Sequence, residues 1–561
     1  MAQTSGSHRP GNRRSGGGNH PQPAPQNQMN QSPNAAGSNG YYNYSNNYTQ
    51  SAQPNGQTAQ HGHLTPAQKK ARLRRKQELM KKRRRHRRLL FALAFLLVVG
   101  AAFFMIRLLN GSSDAPTDAG LDEVDAGLDD DEEEKNYTGP ATATIAFVGD
   151  ISTSADQVEA VTRSDGTYDF SQPFVNVESY ISGADYAVGD FETTMVDGLA
   201  YGGEPYYNSP VQLAGSLRAM GFRLMSTANT YMLNNGIDGL TSTKNYLEEA
   251  KLKTVGTYRS QAERDKNGGA YIRTIHKIKF AFLSYTKGTD SVMMPEGCEY
   301  ALNTLYSDYS DYWTNLRSTQ IRQDVQAAKD AGAEVIVALV HWGSEYGRSI
   351  SEPQQEAADL LMKNGVDVVI GTHSHLVGEM GFQKVTQTDG STKNCFIAYS
   401  LGDFYTDPTD ERALSSVILN LTFTKNDNGY VSIEPSYVPI YQSITETDGK
   451  RSFEILDVYQ SLAELQGMEQ MNSTQATLYN TLLDVISTLH DYAGEDYDAG
   501  PSESNRRLVQ KAIENGPISA QEIKDLQDQE EEEAQAAQEA MGETTETAEP
   551  TETPAESSPA A

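Results

Sequence analysis

Two histidines in His-x-His spacing, His373 and His375, stand just past an apolar run at 366–370 that stops at Gly371, in the stretch GVDVVIGTHSHLVGEM. A strand ending there would deliver two imidazoles at its terminus, either as solvated loop residues or as metal ligands. Other groups of the same chemistry share the pattern. His341 closes EVIVALVH, Asp150 follows the apolar residues 144–148 and Gly149, Glu192 follows Asp190 in GDFETT, Asn229 ends a strand-like segment, and Asp403 follows Gly402 in SLGDF. Anionic oxygens from Asp150 and Glu192, a neutral carbonyl from Asn229 and nitrogens from His341, His373 and His375 suit one or two hard-to-borderline divalent ions. A metal held this way would activate water or clamp a phosphoryl or carboxylate oxygen.

The elements that must position these groups alternate. A helix at 320–331 and another at 353–364, with Pro353 at its start and Gly365 at its stop, separate the strands that lead to His341 and His373. That alternation predicts an α/β fold of right-handed βαβ units around a buried mixed or parallel sheet. His341, His373, His375 and Asp403 are then expected at one end of their strands, where ligands bind in such sheets. AYIRTIHKIKFAFLSYTKG reads as two segments of strand character with Ile278-Lys279 at the edge of a hairpin, and His276, ahead of the apolar run, reads as structural. NCFIAYSLGDF reads as the last strand of the alternation. Past Leu419, strand pieces join through an Asn-Gly turn, and from 453 to 526 the spacing is helical, with Leu456, Tyr459, Leu462 and Leu465 on one side.

Of 561 residues only 37% are hydrophobic, and the polar excess lies at the ends. Residues 1–65 contain no Asp or Glu and are rich in Gly, Asn, Gln, Ser and Pro, while the segment from 527 onward is Glu, Ala, Thr and Pro. Neither composition buries enough apolar surface to offset chain entropy, so both ends are expected to be disordered. The net charge of -29 conceals a division: thirteen Lys or Arg between Lys69 and Arg88 face the single acid Glu78, whereas the chain after Asn110 is strongly acidic. Between them, residues 89–106 form a stretch of eighteen residues without a charge, the length of a membrane-spanning helix at roughly 17–25 residues. A secretory signal would need a charged leader 88 residues long. Basic residues flank only the N-terminal side of the span, which predicts a cytoplasmic N-terminus and an external C-terminal portion. Placed there, they hold topology against anionic lipid rather than bind nucleic acid. Two cysteines, Cys298 and Cys395, are too few for a structural zinc made of thiolates.

Together these motifs resemble the capsule synthesis protein CapA family, over about residues 142–441. Gly149-Asp150 matches the family's opening Gly-Asp, and Glu192 falls on the glutamate of its Asn-Leu-Glu. His341 to Tyr346 match His-Trp-Gly-x-Glu-Tyr, Gly371 to His375 match Gly-x-His-x-His, and SLGDF matches Ser-Leu-Gly-Asn-Phe. One motif departs. Where the family has Ala-Asn-Asn-His followed three residues later by Asp, this chain has Ala228-Asn229-Thr230-Tyr231 and then Asn234.

The resemblance implies a calcineurin-like metallophosphoesterase fold, a layered αββα domain, at 141–445. Around it are expected a disordered polar arm (1–65), a basic juxtamembrane segment (66–88), a transmembrane helix (89–109), an acidic linker (110–140), a helical C-terminal extension (446–526) and a disordered acidic tail (527–561). It carries His341, Glu345, His373 and Asp403 into a catalytic set. Asp150, Glu192, Asn229, His341, His373 and His375 fall in a metal set, for a divalent ion such as Mn, Zn, Fe or Mg. The function implied is that of a membrane-anchored extracellular protein that assists synthesis, export or anchoring of an anionic surface polymer such as poly-γ-glutamate. Its partners would be the membrane and the polymer or a polymer-synthesis membrane complex, with no nucleic acid. The metal set also admits a phosphoesterase or related hydrolase of cell-envelope material, and the loss of an imidazole and a carboxylate at Tyr231 and Asn234 admits a binding or scaffold domain without turnover.

Overall fold

In TATIAFVGDI the side chains of Ile145 and Phe147 enter one core and those of Ala146 and Val148 another. A strand buried on both faces belongs in the middle of a layered molecule. This is β1 (Thr142–Ile151) of a computed structural model that describes residues 134, 136–289, 292–307, 315–529 and 532. The arm at 1–65, the basic segment, the expected membrane span, nearly all of the acidic linker and nearly all of the tail lie outside the described residues. Among the described residues no helix is long and apolar enough to cross a membrane.

The strands that follow are β2 (Tyr186–Phe191), β3 (Leu224–Ser226), β4 (Lys253–Val255), β5 (Tyr271–Ile275), β6 (Ile278–Thr286), β7 (Val335–His341) and β8 (Val368–Thr372). After them come β9 (Met380–Thr386), β10 (Thr392–Ala398), β11 (Asp403–Tyr405), β12 (Ser415–Lys425), β13 (Val431–Thr447) and β14 (Lys450–Asp457). They form two sheets. One has the order β14-β13-β12-β1-β2-β3-β4, with β11 also pairing β1, and the other the order β5-β6-β7-β8-β10-β9. β1 to β4 run parallel, as do β6, β7, β8 and β10, so crossovers must return the chain over the sheet faces.

Helices supply those crossovers. α1 (Gln212–Met220) and α2 (Gly236–Glu249) serve the first sheet, α3 (Ser318–Asp330) and α4 (Glu352–Asn364) the second. Phe147, Leu224, Phe282, Leu339, Ile370 and Leu419 fill the space between the sheets. Leu213, Leu217 and Leu247 cover the outer face of the first sheet, and Ile321, Val325 and Leu361 that of the second. The result is a mixed α/β molecule of layered sheets and helices. Each large apolar side chain taken out of water contributes about 1.5–3 kcal/mol, which makes the inter-sheet layer a stiff base for loops at the strand ends. Cys298 and Cys395 are free thiols, and burial pushes Cys395 up to about 11.

Several expectations are corrected. The helical spacing at 453–457 belongs to β14: Phe453 and Ile455 alternate with exposed Ser452 and Glu454 against β13, a period of two. The boundary at 445 therefore cuts a hairpin, and the helices begin later, as α5 (Val458–Gln466), α6 (Ser473–Leu489) and α7 (Arg506–Asn515). The single strand read in NCFIAYSLGDF is two, β10 in one sheet and β11 in the other, because Gly402 at φ 78° turns the chain across. The β5–β6 turn lies at His276-Lys277, with φ 47° and 64°, since Ile275 pairs with Ile278.

Candidate metal centre

Strand register sets the carboxylates. On β1, Asp150 stands opposite Asp190 on β2 and Asp403 on β11. Asp403 is the first residue of β11 rather than the last, so it reaches the same end as Asp150 by pairing, not by the end of its own strand. In the second sheet His341 closes β7 opposite Thr372 on β8, and His373 and His375 follow immediately. Two glycines allow the close approach. A Cβ on Gly149 would lie 1.7 Å from the Gly402 carbonyl oxygen, and one on Gly371 would lie 2.0 Å from that of Tyr399 and 2.6 Å from Trp342 Nε1.

The two sheets then contribute to one buried cluster. Single donor atoms of Glu192, His341 and His373 lie within 4.8 Å of one another, as do those of Asp150, Asp190 and His341, and of Asp150, Glu192 and His375. His341 Nδ1 is 2.8 Å from Asp190 Oδ2, which also accepts from the Thr372 hydroxyl at 2.6 Å. His341 Nε2 is 3.1 Å from Glu192 Oε1 and 3.0 Å from Thr230 Oγ1. Asp150 accepts the backbone N–H of His373 at 3.1 Å, and His375 Nδ1 lies 2.7 Å from Asp403 Oδ1, whose partner oxygen accepts from Thr406 at 2.5 Å. His373 and His375 adopt φ of 84° and 60°, a left-handed conformation that costs on the order of 1–3 kcal/mol for such residues and persists only where surroundings over-determine it.

The cluster fits a metal. Asp190 Oδ1 and both ring nitrogens of His373 are buried without a hydrogen-bond partner in the structure, and buried polar atoms are ordinarily satisfied. Carboxylate oxygen and imidazole nitrogen form a donor set for a divalent ion. Burial, reinforced by Glu192, holds the Asp150 carboxyl well above its usual range, and burial likewise raises Glu192. Burial lowers His373 well below 6.5, with Lys287 adding to the effect. For His341, burial opposes protonation, but Glu192 and Asp190 outweigh it and push the imidazole up to about 10. His375 is raised well above its ordinary value, the carboxylates of Asp403 and Asp150 overcoming burial.

These shifts fix the sign of a pH effect in the metal-free protein. A histidine raised from 6.5 to about 10 contributes stability that is complete below about 6.5 and lost as pH rises through about 10. At neutral pH a divalent ion must therefore displace a proton from His341, and affinity should rise with pH over that window. Calorimetric titration in two buffers of different ionisation enthalpy is expected to show proton release at pH 7; identical heats in both would contradict a charged His341.

Not every expected ligand joins the cluster in the same way. Asn229 is buried, but its amide is engaged by the backbone: Nδ2 donates to Phe191 O at 2.6 Å and Oδ1 accepts from Tyr231 N at 3.3 Å. Glu345 is exposed on the loop after β7, where Tyr346 of the same loop lays its ring 5.2 Å from that of His375. Tyr231 stacks on Tyr207 with centroids 4.1 Å apart, and burial raises its hydroxyl far above 10. The Asn234 side chain donates to the Pro205 carbonyl at 3.3 Å. Asp190, Thr230 and Thr372 were not singled out as site residues by motif spacing. Asp190 had one legible signal: it precedes Glu192 by two, so on an extended strand both project to one face.

Comparison with known proteins agrees with the motifs. The family described as bacterial capsule synthesis protein PGA_cap matches residues 144–408. A capsule biosynthesis protein CapA of Bacillus anthracis is 23% identical over 300 residues, covering 52% of this chain and 66% of the relative. A PGA biosynthesis protein CapA of Bacillus subtilis (strain 168) is 24% identical over 298 residues, covering 52% of this chain and 70% of that one. The match thus spans just under two thirds of the first relative's length. Among solved structures, TT1561 of Thermus thermophilus aligns at 10% identity and a TM-score of 0.25, over 52% of this chain and 98% of that one. The match to the family of bacterial capsule synthesis protein PGA_cap, residues 144–408, takes in nearly all of β1, the strands through β11 and every residue of the buried cluster.

Proposed function

We propose that this chain assists the synthesis, export or anchoring of an anionic capsular or surface polymer, as a membrane-anchored protein whose family domain lies outside the cell. The observation that carries this is the buried cluster at the strand ends, with His373 offering two unpartnered nitrogens beside three carboxylates. The relatives' names, capsule biosynthesis and PGA biosynthesis, support the substrate class. The anchor rests on the uncharged stretch 89–106 and the basic residues before it.

A chain of net charge -29 repels a polyanion at long range, so contact needs local positive charge. A bound divalent ion would supply Lewis-acid charge to a carboxylate or phosphoryl oxygen. Asp150, Glu192, His341, His373 and His375 would hold it, while Asp190 and Thr372 keep His341 Nδ1 oriented. Lys287, nearly buried just past β6, is fixed beside the cluster, its N–H donating to His341 O at 2.8 Å and its Nζ to Gly343 O at 3.3 Å. It adds a second cation on the side of His373.

Deletion in the native cell tests the proposal. Surface polymer is expected to fall, the full chain to restore it, and the His373→Ala chain to fail at equal abundance. In the same strains, protease added outside should remove an epitope at Ala561 and spare one at Ala2. Unchanged polymer would end the capsule role, and the reverse protection pattern would end the external placement.

A further inference from the structure

The opposite end of the molecule carries a second built site. The β5–β6 turn places two consecutive residues at positive φ, His276 and Lys277, which aims their backbone N–H groups outward together. Successive N–H groups in such turns form anion-binding concavities. Here both are used: His276 N donates to one carboxylate oxygen of Glu134 and Lys277 N to the other, each at 2.8 Å. Further contacts tie down the residues that follow. The Tyr137 ring lies on His276 with centroids 3.7 Å apart and planes 6° apart, and Lys277 Nζ donates to Gly139 O at 2.6 Å. His276 Nδ1 bonds Thr142 O at 2.9 Å, which joins the turn to the first residue of β1. Beneath lies a cavity of about 290 Å³ whose lining includes Glu134 itself together with Asp185, Arg223 and Arg273.

We infer that the β5–β6 turn is a carboxylate clasp whose ligand is Glu134, the last acid of the run DDDEEE that leads into the domain. The clasp fixes where the chain joins the domain. Asp150 lies eight residues further along β1 from Thr142, roughly 25 Å at the rise of an extended strand, so the clasp and the metal centre occupy opposite ends of the sheet. The inference is independent of metal chemistry, since none of these groups belongs to the buried cluster.

Chymotrypsin cleavage after Tyr137 in the full chain, with hydrogen exchange at His276 and Lys277, tests it. Glu134→Ala is expected to speed both by about tenfold, as loss of hydrogen bonds to a charged group does. Glu133→Ala removes the same charge one residue away and should change neither. No acceleration in Glu134→Ala would overturn the clasp. Equal acceleration in Glu133→Ala would overturn it too, because the effect would then be one of general charge. Metal affinity at the centre, unchanged in Glu134→Ala, shows that the domain is intact in the variant.

Discussion

Replacing His373 with Ala is expected to lower divalent-metal affinity by at least about a hundredfold while the domain still unfolds in one cooperative transition. Loss of a group that merely orients a ligand costs about 10–100-fold, and His373 stands closer to the chemistry than that, with both ring nitrogens buried and unpartnered. Its imidazole lies in the polar cluster against His341 and not among the apolar side chains that join the two sheets, so the fold should survive. The backbone there is left-handed at φ 84°, which an alanine tolerates poorly, so His373→Asn, better suited to that conformation, separates ligand loss from backbone strain. Metal content by mass spectrometry after dialysis, with denaturant unfolding alongside, reads both. Full occupancy in the alanine variant would show that the imidazole is not a ligand.

Tyr231→His together with Asn234→Asp is expected to raise phosphoesterase turnover by about a hundredfold or more from a low natural level, the size of general acid–base effects. An imidazole near neutral pKa exchanges protons at the pH of the reaction, whereas a phenol, ordinarily near 10, does not. The structure sharpens the contrast. Burial and the neighbouring Glu192 raise the Tyr231 hydroxyl further, and stacking on Tyr207 fixes its ring. Tyr231 can still donate a hydrogen bond, so binding without turnover is the expected behaviour of the natural chain. Turnover on a simple phosphomonoester with the metal added, compared among the natural chain, each single variant and the pair, checks this. Brisk hydrolysis by the natural chain, indifferent to both changes, would show that Tyr231 does not limit the chemistry.

Most of the frame was legible in the sequence because strand and helix periods are local. The run EVIVALVH ends at His341 and β7 ends there as well, and α4 begins beside Pro353 and stops at Gly365, which takes φ 121°. The five ordered motifs likewise named six residues of the buried cluster, Asp150, Glu192, His341, His373, His375 and Asp403, because each lies beside a strand end or a tight glycine turn. What the sequence could not supply was pairing. Asp150 meets Asp190 and Asp403 through strand register, and Glu192 meets His341 only because two sheets pack face to face. Neither relation has a local signal: register and sheet packing are set by side chains far apart in the chain. For the same reason β11 and β14 were misread. Asp403 to Tyr405 are three residues that become a strand by pairing with β1, and Lys450 to Asp457 become one by pairing with β13. Residue types and local spacing name the candidate donors and the strands that carry most of them. Which of those donors come within reach of one another depends on distances of a few ångströms across two sheets, and no local pattern encodes those.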